Sequence, residues 1–129
     1  MKNSSSPPAR IQSFGYAFQG ILVILKSQPN ARIHAVATVI VCMAGFVFGF
    51  TRAEWCWIIL AIGSVWTAEA FNTAFEFLAD AASPEYHPLV KKGKDAAAGA
   101  VLVSAIGSAL IGVIIMLPYV VRIFSSAGR

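Results

Sequence analysis

Two stretches of this chain carry no charged residue over lengths that match a lipid bilayer, and nothing else constrains the fold as tightly. Residues 35–51 are uncharged, and so are residues 96–121. A hydrocarbon core of ~30 Å needs about 20 apolar helical residues to cross it. A third segment, 54–80, opens with the uncharged run 55–68 and then turns acidic. At ~1.5 Å per residue it would be about 40 Å long, so one end must leave the hydrocarbon. The apolar runs are continuous and lack the strict alternation of a membrane strand, which favours helices over a barrel.

Composition agrees. Of the 129 residues, 57% are hydrophobic and 12% charged, against about 25% charged in an average soluble domain. That excludes a disordered chain and argues against a water-soluble globule. The 10 Lys+Arg against 6 Asp+Glu give +4. This excess suits a membrane surface and is too small and scattered for nucleic acid.

The chain organises as one domain over 9–121 with a disordered lead at 1–8 and a tail at 122–129. Residues 9–28 mix Phe14, Tyr16, Phe18, Ile21, Leu22 and Leu25 with Arg10, Gln12, Gln19 and Lys26. This pattern predicts an amphipathic helix lying in the membrane interface, broken at Pro29 and Asn30. Spans are expected at about 35–51, 54–80 and 96–121, and Pro84 and Pro88 mark a polar loop holding Lys91, Lys92 and Lys94. The first compact apolar run, 21–25, is shorter than the ~7–15 residues of a signal-peptide core, so the mature chain is expected to start at Met1. Lys2, Arg10, Lys26, Arg32 and the three loop lysines fall on one side, with Arg52, Arg122 and Arg129 on the other. The positive-inside rule then puts the N-terminus and the 81–94 loop in the cytoplasm.

The acids are concentrated. All 6 lie between Glu54 and Asp95. Glu69, Asn72, Glu76 and Asp80 fall within a helical sector of roughly 80°. Glu69 lies ~22 Å along the helix from Glu54, near the inner hydrocarbon boundary if Glu54 sits at the outer one. Glu76 and Asp80 then reach the cytoplasmic headgroups. A carboxylate at that depth is costly. A purely structural stripe, satisfied within a helix bundle, is one reading. Mutual repulsion of three acids on one face favours another, in which a divalent cation or a protonated Glu relieves it.

Glu85-Tyr86-His87 and Gly93-Lys94-Asp95 follow. A magnesium ion usually keeps one or two carboxylates plus phosphate oxygens, and Lys94 has the charge to neutralise phosphate. Asp95 suits either a hydroxyl partner or a helix N-cap before Ala96. The run 96–100 is all small residues, which would let helices or a lipid chain approach closely. Cys42 and Cys56 read as core hydrophobes. His34 reads as an interfacial residue, and Trp55, Trp57 and Trp66 as anchors and core. No P-loop, GxSxG, HExxH or GxGxxG occurs.

Taken together, Glu69-Ala70-Phe71-Asn72-Thr73-Ala74-Phe75-Glu76, Asp80, Ser83-Pro84-Glu85-Tyr86-His87-Pro88-Leu89 and Lys94-Asp95 resemble the prokaryotic diacylglycerol kinase family, which includes undecaprenol kinases. The similarity runs from about Gly15 to Pro118. Asn30-Ala31-Arg32-Ile33-His34 and Ala97-Ala98-Gly99-Ala100-Val101 resemble the undecaprenol-kinase type. The resemblance implies an all-α integral membrane protein of the bacterial cytoplasmic (inner) membrane, with three spans and a surface helix, assembled as a homotrimer. It implies transfer of the ATP γ-phosphoryl group to the hydroxyl of undecaprenol or diacylglycerol, with Mg2+ as cofactor. By motif position it implies Glu69 as general base, with Asn72 shaping the acceptor site. Glu76 corresponds to a magnesium ligand, and Tyr16, Glu76, Asp80, Glu85, Tyr86, His87, Lys94 and Asp95 to positions around the nucleotide. Gln28 stands where family members carry a metal-binding Glu, so its neutral amide is a weaker second ligand.

The order along the acidic helix fits that chemistry, with the base at the hydrocarbon boundary and the metal and nucleotide ligands nearer water. Phosphoryl transfer asks mainly for positioning and charge neutralisation. Two other classes compete. An ion-conducting oligomer would line its pathway with the acidic stripe but leave the Tyr-His-Pro loop without a task. A phosphatidyltransferase would be expected to carry a D-G-x-x-A-R-type pattern, which is absent.

Overall fold

The computed structural model describes residues 7–127, with side chains from 11 to 125. It contains four helices: α1 Pro7–Ser27, α2 Pro29–Phe48, α3 Arg52–Ala82 and α4 Pro88–Ala127. Three of them, α2, α3 and α4, are long and apolar enough to cross a membrane.

The boundaries follow local chemistry. The break between α1 and α2 is one residue, Gln28, held extended at φ −109°, ψ 114° because Pro29 disfavours helical geometry in the residue before it. Pro29 then opens α2, where its missing N–H costs nothing. Arg32 closes α1 from the next helix: its Nε and Nη2 donate to the carbonyls of Leu25 and Lys26 at 3.0 and 2.7 Å. Gly49 ends α2 at φ +68°, a left-handed conformation that favours glycine. The N–H groups of Gly49 and Phe50 both reach the Gly45 carbonyl. Thr51 and Glu54 form a reciprocal capping box that starts α3.

Several expected boundaries shift. The lead at 1–6 lies outside the described residues, but Pro7 and Pro8 already belong to α1. The side chain of Arg10 also lies outside them. The loop expected over 81–94 shortens to residues 83–87, and Lys91, Lys92, Lys94 and Asp95 are helical. His87, not Asp95, precedes α4, and its Nδ1 accepts from the Leu89 N–H at 3.3 Å. Pro88 is tolerated in that first turn. The tail expected at 122–129 is helical through Ala127, and Pro118 does not interrupt α4.

α3 and α4 form the central antiparallel pair. At one end the Tyr119 hydroxyl donates to Glu54 Oε2 at 2.8 Å. In the middle, Ser104 Oγ donates to Ser64 Oγ at 3.0 Å and Ser108 Oγ to the Ala61 carbonyl at 2.9 Å. At the other end Lys94 Nζ lies 2.7 Å from Asp80 Oδ1. α2 runs antiparallel to α3, with the Phe46 and Trp55 rings 5.0 Å apart, Trp66 Nε1 donating to Thr38 Oγ1 at 3.3 Å, and Gln28 reaching Glu76 at 2.7 Å.

The core gathers at the Glu54 end, where Phe50, Ile58 and Ile115 pack with Trp55 and Tyr119. Gly45 makes room for that packing. A Cβ there would lie 2.8 Å from the rings of Phe50 and Trp55. Elsewhere large apolar side chains face outward, including Phe46, Val103 and Ile114. A face this apolar needs lipid or another protein surface over it. At ~1.5 Å per residue, α3 and α4 measure roughly 46 and 60 Å, so both outrun a ~30 Å hydrocarbon core.

Candidate functional site

Toward the Asp80 end, the helices enclose a cavity of about 300 Å³. Gln28 contributes from the α1–α2 break, Asn30, Ile33 and His34 from α2, Glu69, Asn72 and Glu76 from α3, and Ala98, Val101, Leu102 and Ala105 from α4. The 69–72–76 spacing puts the α3 residues on one face, as the helical period requires. Small residues on α4 leave the space open.

Burial is graded along that face. Glu69 is 2% exposed and Asn72 7%, Glu76 is half-buried and Asp80 exposed. Glu69 is anchored from behind by Thr73, itself buried, whose hydroxyl donates to the Glu69 carbonyl at 2.8 Å. The Glu69 carboxylate lines the cavity and takes no side-chain hydrogen bond from the described residues.

Glu76 is engaged on both oxygens. Gln28 Nε2 donates to its Oε2 at 2.7 Å, and Asn72 Nδ2 to its Oε1 at 3.1 Å. Asn72 Oδ1 is buried without a hydrogen-bond partner. One carboxylate and two side-chain amides thus meet here, both amides with their nitrogens toward Glu76, and no group of three His, Cys, Asp or Glu that could hold a metal occurs among the described residues. All three are hard oxygen ligands, the type Mg2+ takes. With a single carboxylate they suit a cation that also has phosphate oxygens to bind. Rotating the Gln28 and Asn72 amides by half a turn would present Oε1 and Oδ1 in place of the two nitrogens, so the set fits the ion.

Asp80 and Lys94 are brought together where α3 ends and α4 begins, outside the cavity lining, adjoining the short link that carries Glu85, Tyr86 and His87. Asp95 points to a different partner, Lys91 Nζ at 2.6 Å. Glu85 and Tyr86 are exposed, and Tyr16 is exposed on α1. None of Tyr16, Glu85, Tyr86 or His87 lines the Glu69 cavity.

His34, expected at the interface, also stands in the cavity wall with Asn30, one turn before it on α2. That i, i+4 pairing of polar residues at the head of an apolar helix was the available signal. Nothing in the pattern indicated Thr73, because its hydroxyl acts on its own helix.

A family model described as prokaryotic diacylglycerol kinase matches residues 15–116. The chain is 41% identical over 107 residues to an undecaprenol kinase of Bacillus subtilis (strain 168), covering 83% of this chain and 87% of that protein. It is 35% identical over 112 residues to a diacylglycerol kinase of Synechocystis sp., covering 86% of this chain and 64% of that protein.

Proposed function

This chain belongs to the prokaryotic diacylglycerol kinase family and is a membrane lipid kinase, and we propose that its reaction takes place in the Glu69 cavity. The acceptor is a lipid alcohol, undecaprenol or diacylglycerol, and the donor is ATP. The observation that carries the reading is the Glu69 carboxylate: nearly inaccessible to solvent, facing a cavity, and free, among the described residues, of side-chain donors that would compete with the substrate hydroxyl for its oxygens.

The chemistry follows from that arrangement. The lipid hydroxyl approaches Glu69 from the hydrocarbon side. Glu69 accepts its proton as the oxygen attacks the γ-phosphorus, and the bond from that phosphorus to the β–γ bridging oxygen breaks to release ADP. Asn72 orients the acceptor beside Glu69. Lys94 offers positive charge to the phosphates, drawing on a side chain already aimed at the Asp80 end of the helices. Asp80, Asp95, Glu85, Tyr86, His87 and the surface-helix Tyr16 surround the nucleotide. Glu76, with the amide oxygens of Gln28 and Asn72, would hold Mg2+. When bound, the ion offsets phosphate charge and aligns the triphosphate.

Membrane setting supports the same reading. α1 lies along the cytoplasmic interface, and the N-terminus and the 83–87 link face the cytoplasm, where ATP is. The cluster of Lys26, Arg32, Lys91, Lys92 and Lys94 at that end is the positive-inside signature. The outward apolar faces of α2 and α4 suit assembly as a homotrimer in lipid. An ion-conducting oligomer is not favoured, since the relatives are kinases. The test is incubation of purified protein with radiolabelled ATP and each lipid alcohol in detergent–lipid micelles. Labelled lipid phosphate is expected, and ATP hydrolysis or ion flux without lipid labelling would contradict the assignment.

A further inference from the structure

A buried carboxylate that accepts a proton must also be emptied before it can act again. Under the proposed function each turnover leaves the acceptor's proton on Glu69. That side chain is 2% exposed, so bulk water has almost no contact with it.

The cavity wall limits where the proton can go. Three of its residues titrate: Glu69, Glu76 and His34. Glu76 has one oxygen engaged by Gln28 and the other by Asn72, and a carboxylate that holds a cation is a poor proton acceptor. His34 remains. Its imidazole, when protonated, is one of two charged neighbours of the Glu69 carboxylate among the described residues, Glu76 being the other. The hydrogen bond that His34 receives, from the Thr38 hydroxyl at 2.7 Å, falls on its backbone carbonyl and leaves the ring uncommitted. Exposure also rises in the useful direction. Glu69 is buried, His34 half-buried, and Asn30, one turn nearer the α1–α2 break on the same wall, exposed. An imidazole holds a proton more firmly than a carboxylate does, yet gives it up near neutral pH.

We propose that His34 is the proton outlet of the Glu69 site. After phosphoryl transfer the O–H bond on Glu69 breaks and its electron pair stays on the carboxylate. The proton forms an N–H bond on the lone-pair nitrogen of the imidazole, directly or across one water. The imidazolium then passes it to water on the Asn30 side. One proton leaves for each lipid phosphate formed, and both side chains return to their starting forms. The proposal rests on Glu69 as base and adds the group that resets it. His34 acts through Glu69 and takes no part in the transfer itself, which sets the test.

His34→Gln keeps a polar side chain but removes the titrating group. Wild type and variant are mixed with γ-labelled ATP and the lipid alcohol that wild type phosphorylates, and lipid phosphate is followed from the first turnover into the steady state. The first turnover of His34→Gln should match wild type within twofold, because Glu69 starts ionised. Later turnovers should slow at least tenfold, giving a burst of one lipid phosphate per chain. The normal first turnover also shows that the variant is folded. In His34→Ala, imidazole added to the buffer should raise the steady-state rate at least fivefold, in proportion to its concentration, and leave wild type unchanged. First and later turnovers that fall together, no loss in either phase, or a His34→Ala rate indifferent to imidazole would overturn the proposal. Wild-type transfer by Glu69→Gln would instead refute the base on which it rests, and a wild type that labels no lipid would refute the kinase assignment.

Discussion

At Glu76 two neutral amides meet one carboxylate, and under the proposed function this trio sets how strongly the site holds a divalent cation. Gln28 supplies a dipole where a second negative charge would attract the cation more strongly. Gln28→Glu is therefore expected to lower the Mg2+ concentration for half-maximal activity several-fold. Glu76→Ala should raise it by at least tenfold, since among the described residues no other carboxylate hydrogen-bonds either amide. Titrating activity against Mg2+ at fixed ATP checks both, and an unchanged Mg2+ profile in Glu76→Ala would remove that residue as a ligand. Lys94 tests the nucleotide side. Its partner Asp80 is well exposed, and a pair so placed contributes little to stability. Lys94→Ala should thus leave thermal stability nearly unchanged while raising the KM for ATP about tenfold, as expected for loss of a charge-assisted phosphate contact.

At the scale of elements, the helices are set by caps and close approaches more than by propensity. Thr51→Ala breaks the capping box of α3 and should cost about 1 kcal/mol, visible as a Tm lowered by a few degrees in detergent. Gly93→Leu should cost more, because a Cβ at Gly93 would lie 2.8 Å from the Phe75 ring. That contact joins α4 to α3 near the site, so activity should fall with stability. A Tm equal to wild type in Gly93→Leu would show that the ring moves aside freely.

Uncharged runs located three spans because charge is expensive in hydrocarbon, and the 69–72–76–80 spacing located a polar face because helical period is fixed. Helix ends were less legible. Three lysines and Asp95 suggested a loop, but i, i+4 pairing of Lys91 with Asp95 and the Lys94–Asp80 contact let those charges sit on a helix outside hydrocarbon. The places of His34 and Ala105 in the cavity wall depend on which helix faces which, and no periodicity within α2 or α4 encodes that.

For the whole molecule, orientation and assembly decide whether both reactants reach one site. The positive end must face the compartment that holds ATP. In a background with Cys42 and Cys56 replaced, Glu85→Cys should react with a membrane-impermeant maleimide only after the cytoplasmic face is opened. Arg52→Cys should react in intact cells. Reversed labelling would place the cavity away from ATP.

The central claim is that an oil-borne hydroxyl loses its proton to a carboxylate at the boundary of the hydrocarbon, beside a triphosphate held from the aqueous side. The most direct measurement is single-turnover transfer from γ-labelled ATP to undecaprenol by wild type and by Glu69→Gln, with nucleotide binding measured on the same samples. The account predicts that Glu69→Gln binds ATP as wild type does while its transfer rate falls by about 10²–10⁴-fold. Wild-type transfer by Glu69→Gln would contradict it.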